Sequence, residues 1–326
     1  VVDVAFRKWS QGIGMSLSTG HVERAVAHCR EVTRLRARNF YYGLKLSPEP
    51  QRSALFVVYA WMRLADDIVD GAINKPGSTL EAELTQFRAQ TDAALAGQPS
   101  SDEPLWIGLA DTAAKFRLPR ETFHGMLDGQ LDDLRRKEYA TFDELRNYCY
   151  RVASTVGLLC IEIWGYQNNA ARELAIDRGI AFQLTNIIRD YAQDFDAGRV
   201  YLPREDFEEF GITAPALRRW EQPAACEAML RQQMRRAEVF YEQSAELDDL
   251  IAPNCRPTLW AMTAIYHGLL RKMQRSPSRI VLSRRMRLSA WHKGAIALRA
   301  QWQVKGIARS IQSATTTAVA QGTSGG

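Results

Sequence analysis

The 326 residues are 46% hydrophobic and 24% charged, with a formal net charge of +5. That balance supports a buried core and excludes a disordered polar chain, and the length suits one large domain. No signal peptide is visible, and the longest charge-free apolar run near the middle, Val152 to Ile161, is half of what spans a bilayer.

Five cysteines without CxxC spacing (Cys29, Cys149, Cys160, Cys226, Cys255) read as buried thiols of a reduced, intracellular protein. The charge is uneven. From Leu250 onward there are twelve Lys or Arg and no Asp or Glu, leaving thirty basic against thirty-seven acidic residues in the first 249. Such a basic third suits nucleic acid, an anionic membrane surface or an anionic substrate, and is equally compatible with a plain solvated face.

In chain order, residues 1–19 read as an N-terminal extension without ordered structure, and a first helix is predicted over 20–38. In "SPEPQRSALFVVYAWMRLADDIVDGAI", Ser47 suits an N-cap and Pro48 the first helical position. An apolar stripe follows through Leu55, Val58, Met62, Ala65 and Val69. Further helices are predicted over 78–96, 103–116, 120–136, 141–166, 170–196, 222–248, 255–274 and 289–311. Pro119, Pro203, Pro215, Pro253 and Pro277 fall between them. Residues 312–326 read as a disordered tail. With no strand-type alternation and no repeat, the expectation is one all-α domain over 20–311.

Two stretches carry the chemistry. Tyr59, Arg63, Asp66 and Asp70 follow steps of four, three and four, with Asp67 beside them; Gln183, Asn186, Asp190 and Asp194 follow steps of three, four and four. Each set shares one face of a helix. Oxygen donors without His or Cys suit Mg²⁺, with Mn²⁺ a workable substitute, bridging carboxylates to substrate phosphates. Arg63, Arg189 and Arg199 lie within or beside the rows as phosphate contacts. A lone DDxxD on a helix is a weak signal; two rows of matched spacing are a strong one. Asp128 and Asp132 share the spacing but run into Arg135, Arg136 and Lys137, which fits a solvated helix end as well. Walker A, GxGxxG, GxSxG and HExxH patterns are absent, and the five histidines show no ligand spacing.

The segments "ARNFYYGLKLSPEPQRSALFVVYAWMRLADDIVD", "YCYRVASTVG", "QLTNIIRDYAQDFDAGRVYLP" and "IYHGLLRKM" resemble, in order, the squalene/phytoene synthases. The resemblance implies an isoprenoid synthase fold, with helices around a central cavity, and head-to-head joining of two prenyl diphosphates. It implies Mg²⁺ on Asp66, Asp67, Asp70, Asn186, Asp190 and Asp194, and diphosphate on Arg63, Arg189 and Arg199. It further implies cavity-lining roles for Tyr59, Tyr148, Gln183, Tyr201 and Tyr266, and a prenyl-tail pocket at Phe40 and Leu44. Gln193 stands where members often carry Glu, but it is off the row.

Among members, "FYYGLKLSPEPQRSALF" and "RRMRLSAWHKGAIALR" are most similar to bacterial hopanoid-pathway enzymes that make presqualene diphosphate from farnesyl diphosphate without NADPH. Phytoene synthase and full, NADPH-using squalene synthase remain the alternatives. A basic helical protein that binds membrane or nucleic acid is the rival of another class, but the acidic rows would repel a phosphate backbone. The resulting expectation is a cytoplasmic enzyme with no nucleic-acid partner. Its basic C-terminal helices would offer a peripheral contact with the inner membrane face, and the enzymes of later squalene formation would be its partners.

Overall fold

The stripe Leu55, Val58, Ala65 and Val69 is buried along one face of a single helix, α3 (Gln51–Asp70). This computed structural model describes residues 19–37, 39–70, 77–283 and 285–322; the side chains of 39, 40, 42, 70, 77, 78, 134 and 307–322 lie outside that description. The expected start of α3 moves by a few residues. Prolines at 48 and 50 serve only as carbonyl acceptors, for the amides of Arg52 and Ala54, and Glu49 accepts from the Ser53 amide at 3.1 Å. Ser47 is not the cap. Its hydroxyl is buried, 2.9 Å from Thr258 Oγ1, and accepts a hydrogen bond from Trp164 Nε1 at 3.3 Å.

The remaining described elements are helices in this order: α1 (Thr19–Ala37) and α2 (Asn39–Leu44) before α3, then α4 (Gly77–Leu95), α5 (Pro104–Lys115) and α6 (Arg120–Arg135). The predicted helix over 141–166 is α7 (Phe142–Cys149) and α8 (Thr155–Trp164), joined by a π-helical turn, Tyr150–Ser154. Next come α9 (Ala170–Asp196), α10 (Arg204–Glu209), α11 (Ala214–Arg219), α12 (Pro223–Gln243) and α13 (Leu247–Leu250). The chain ends in α14 (Arg256–Arg275), α15 (Arg279–Leu282) and α16 (Ala290–Gly322). The expected tail from 312 is helical to Gly322, because no Pro or Gly interrupts "SIQSATTTAVAQ". Among the described residues only two isolated β-bridges occur, and no helix is long and apolar enough to cross a membrane. All five cysteines are free and buried.

Two packed cores flank a central space. One gathers α1, α3, α4, α5, α6 and α8 around Trp61, whose ring meets Phe123 edge-on at 4.7 Å and whose Nε1 donates to Thr91. The other gathers α9, α12 and α14 around Ile188, Met229, Leu230 and Leu270. The π turn is held between α6 and α9, each packed closely against it. A Cβ on Gly179 would sit 2.5 Å from Ser154 Cα, and one on Gly129 would sit 2.7 Å from Val152 Cγ1. Glycine is required at 179 by approach of the Ser154 backbone and at 129 by the Val152 and Arg151 side chains, so each helix packs directly on the turn.

Candidate active site

Tyr59, Arg63 and Asp66 line one wall of a cavity of about 710 Å³ between the two cores. Arg63 donates from Nη2 to Asp67 at 2.5 Å, while its Nη1 lies 3.6 Å from Asp66. The second oxygen of Asp67 accepts from Arg36 of α1 at 3.1 Å, so Asp67 faces the rim. Gln130 of α6 donates to Asp66. Burial pushes the Tyr59 hydroxyl up to about 12, so it stays a neutral donor. The side chain of Asp70 lies outside the described residues.

A 27-residue helix without a break carries the second row, and Gln183, Asn186, Arg189 and Asp190 line the same cavity. Burial alone would raise the Asp190 carboxyl, but hydrogen bonds from Arg189 and Arg285 outweigh it and hold it below the usual carboxylate range. Asp194, one turn further, goes the other way: burial and the nearby Asp190 charge push its carboxyl up to about 6. Gln193 is exposed and off the row, as its position predicts. Asn186 donates to Gln183 at 3.4 Å, while its buried Oδ1 accepts no hydrogen bond among the described residues.

Asp133 and Tyr148 extend the polar wall. Tyr201 donates to Asp133 at 3.0 Å, Arg199 reaches the same carboxylate at 3.1 Å, and the Tyr201 ring stacks on Tyr148 at 5.3 Å. The chain after α9 is steered there by backbone bonds from Val200 to Lys137 and from Arg204 to Tyr139. Burial, with the Asp133 charge adding to it, raises the Tyr148 hydroxyl well above its ordinary range. Tyr266 of α14 closes another side, stacked on Phe182 at 4.7 Å. Away from the polar groups the wall is apolar, through Met126, Val156, Cys160, Trp164, Leu259 and Met262. One end therefore receives charge and the other receives hydrocarbon.

Leu44, expected in a tail pocket, is instead 1% exposed within the first core and does not line this cavity. It ends a six-residue helix that turns inward before α3, so its side chain is spent on packing. Phe40 belongs to the same helix, and its side chain lies outside the described residues. Asp128 and Asp132 are paired away, with Arg88 and Arg151 respectively. The neighbouring Gln130 and Asp133 face the site instead, following Met126 at steps of four and three along α6. That periodicity was the available signal. Arg285 had none, because it sits in a short basic run that reads as surface.

The donors fit a hard divalent cation. They are all oxygens, the Asn186 amide oxygen is buried without a donor, and burial with the Asp190 charge outweighs Arg199 and Arg285 at Asp194, so another positive charge there would be favourable. Among the described residues no three His, Cys, Asp or Glu side chains converge into a closed metal centre. The rows are spread, as suits ions shared between protein carboxylates and a ligand's phosphates.

Three comparisons bear on this geometry. The profile of the squalene/phytoene synthases matches residues 33–292. A phytoene synthase of Arthrospira platensis is 35% identical over 278 residues, 81% of this chain and 88% of the relative; one of Mycobacterium tuberculosis is 34% identical over 283 residues, 85% and 90%. The crystal structure of a dehydrosqualene synthase in complex with ligand superposes with a TM-score of 0.75 at 27% identity, covering 87% of this chain and 98% of that one. The squalene synthase HpnC from Alicyclobacillus acidocaldarius gives 0.72 at 26% identity, covering 79% and 96%.

Proposed function

Because the chain belongs to the squalene/phytoene synthase family and is a prenyltransferase of the head-to-head type, we propose that it joins two geranylgeranyl diphosphates to phytoene in the cavity between α3 and α9. The observation that carries the chemistry is the placing of Asp66 and Asp190, 124 residues apart in the chain, on one cavity with an apolar interior. Asp66, Asp67, Asp70, Asn186, Asp190 and Asp194 would hold Mg²⁺. When bound, the metal supplies Lewis acidity that neutralises charge on the departing diphosphate.

The chain's own residues do the rest. Arg63, Arg189 and Arg285 offer guanidinium forks to diphosphate oxygens once they release their carboxylate partners. Tyr59, Tyr148 and Tyr266 present aromatic faces and neutral hydroxyls to the allylic cation left behind. Trp164, Leu259 and Met262 exclude water and hold the tails so that the second molecule's double bond reaches the cation first.

The phytoene reading is supported by the names of the sequence relatives at 34–35% identity. The structural neighbours named for squalene-type products favour the shorter substrate, and with the resemblance of the 40–56 and 284–299 segments they leave a second reading, in which two farnesyl diphosphates give presqualene diphosphate without NADPH. Product analysis decides between them. The enzyme is incubated with each diphosphate and Mg²⁺, with and without NADPH. Phytoene from the C20 substrate is the expected product. Presqualene diphosphate from the C15 substrate, unchanged by NADPH, would replace it with the second reading, and squalene appearing only with NADPH would make the enzyme a full squalene synthase.

A further inference from the structure

Helix α16 buries one face and exposes the wrong kind of residue on the other. Ile296 and Ala300 are buried against the body beside α14, and Lys293, Gln303 and Val304 are half-buried on the same side. Trp291, Ala295, Leu298 and Trp302 follow steps of four, three and four on the opposite side. Trp291 is 90% exposed and Trp302 72%, the two most exposed large apolar side chains among the described residues; Leu298 is 57% exposed. Scattered apolar side chains on a surface need no explanation, but two tryptophans and a leucine in register on one helix do.

The charge around this stripe says what covers it. From Leu250 onward there is no carboxylate side chain. Arg299 and Lys305 flank the stripe on α16, and Arg271 and Arg275 rim the groove between α14 and α16. Arg299 keeps its guanidinium 5.0 Å from the Trp260 ring. A second copy meeting this face would set basic residues against basic residues. An anionic bilayer complements both features at once: indole rings settle at the headgroup level, and lysines and arginines reach the phosphates. A second groove of about 330 Å³ runs from Arg189, Tyr266 and Arg285 at the cavity to Lys293, so it leads from the site's approach to the start of the helix.

We infer that α16 is a membrane-docking element, inserting Trp291, Leu298 and Trp302 into the interface of an anionic bilayer with Arg299 and Lys305 on the headgroups. Delivery of oily substrate or product along the second groove rests on the prenyl-diphosphate reading; the docking itself does not.

Full-length protein is titrated with vesicles of phosphatidylcholine alone or with one-third phosphatidylglycerol, followed by co-sedimentation and tryptophan emission. Binding to the anionic vesicles, weakened by salt and accompanied by a blue shift, is expected. Trp291→Ser with Trp302→Ser should weaken it at least about tenfold. Arg299→Gln with Lys305→Gln should cost about fivefold per charge. Turnover of detergent-dispersed substrate should be unchanged in the tryptophan variant, which separates docking from chemistry. The proposal is overturned if wild type ignores anionic vesicles at low salt, if both double variants bind like wild type, or if the tryptophan variant converts a dimer to a monomer while vesicle binding is absent. Failure of every prenyl diphosphate to react would sink the enzymatic reading and leave the vesicle result standing.

Discussion

Arg285 donates from both Nε and Nη2 to the two carboxylate oxygens of Asp190, at 2.6 Å each, across 95 residues of sequence. Arg189 holds the same carboxylate from the adjacent position in the chain. A cation that takes Asp190 has to displace at least part of this clamp, and an arginine set free there is well placed for a phosphate. Arg285→Ala should therefore move two constants in opposite directions. The half-saturating Mg²⁺ concentration should fall, because a competitor for Asp190 is gone. The KM for the diphosphate should rise about tenfold or more, the range for a charge-assisted hydrogen bond. Steady-state kinetics over a grid of metal and substrate measures both, and a rise in both constants together would sink the displacement idea.

Chelation offers a second test. Treatment with a strong chelator should abolish turnover, and Mg²⁺ or Mn²⁺ should restore it. Asp66→Asn and Asp190→Asn should each lower kcat by about 100-fold or more, the scale of removing one preorganised electrostatic contact. Circular dichroism should show unchanged helical content, since neither side chain belongs to either core. Near-normal turnover in either variant would remove the carboxylate rows from the mechanism.

Close approach at the π turn leads to a third expectation. Gly179→Ala places a methyl group 2.5 Å from Ser154 Cα, where the obstacle is backbone and cannot rotate away. The variant should lose about 3 kcal/mol or more of stability, measured by denaturant unfolding. Gly294→Ala is the control. Nothing lies within 4 Å of its added Cβ, and alanine suits a helix interior better, so stability should rise by up to about 1 kcal/mol.

How much of this was legible in the chain depends on the range of the signal. Helix α9 runs from 170 to 196 as its periodicity predicts, and Asp66 and Asp190 meet on one cavity because spacing by threes and fours is a local property of helices. The start of α3 is not legible in the sequence, since Ser47 is claimed by Thr258 and Trp164, partners that only the tertiary fold supplies. Leu44 was lost to the core for the same reason. Asp133 is masked by its neighbours: Asp128 and Asp132 have the DxxxD spacing, while the face shared with Met126 and Gln130 decides what points inward. Arg285 illustrates the limit, because nothing in "SRRMR" tells a clamp residue from a solvated one.

Two aspartates, one buried and one half-buried, should respond oppositely to neutralisation. The Asp206 side chain is fully buried and accepts from Arg236 at 2.5 and 2.8 Å and from Gln233 at 2.9 Å, tying α10 to α12. Replacing it by Asn leaves the Arg236 charge without its partner and should cost about 3–5 kcal/mol. Asp248 is served less well. Its Oδ2 lies 3.5 Å from Arg178 Nη2, and its buried Oδ1 has no partner among the described residues. Burial raises its carboxyl above the ordinary value despite the Arg178 charge. The folded protein therefore binds this proton more tightly than the unfolded chain does. Its contribution to stability is full below the unfolded-state value of about 3.9 and is lost as pH rises through the higher folded value. Asp248→Asn removes that loss, so the variant should gain on wild type with rising pH and be close to neutral in effect, or stabilising, at pH 7. Denaturant unfolding of both variants across the acid range checks the contrast; an Asp248→Asn cost as large as that of Asp206→Asn at neutral pH would show that Arg178 depends on this carboxylate's charge after all.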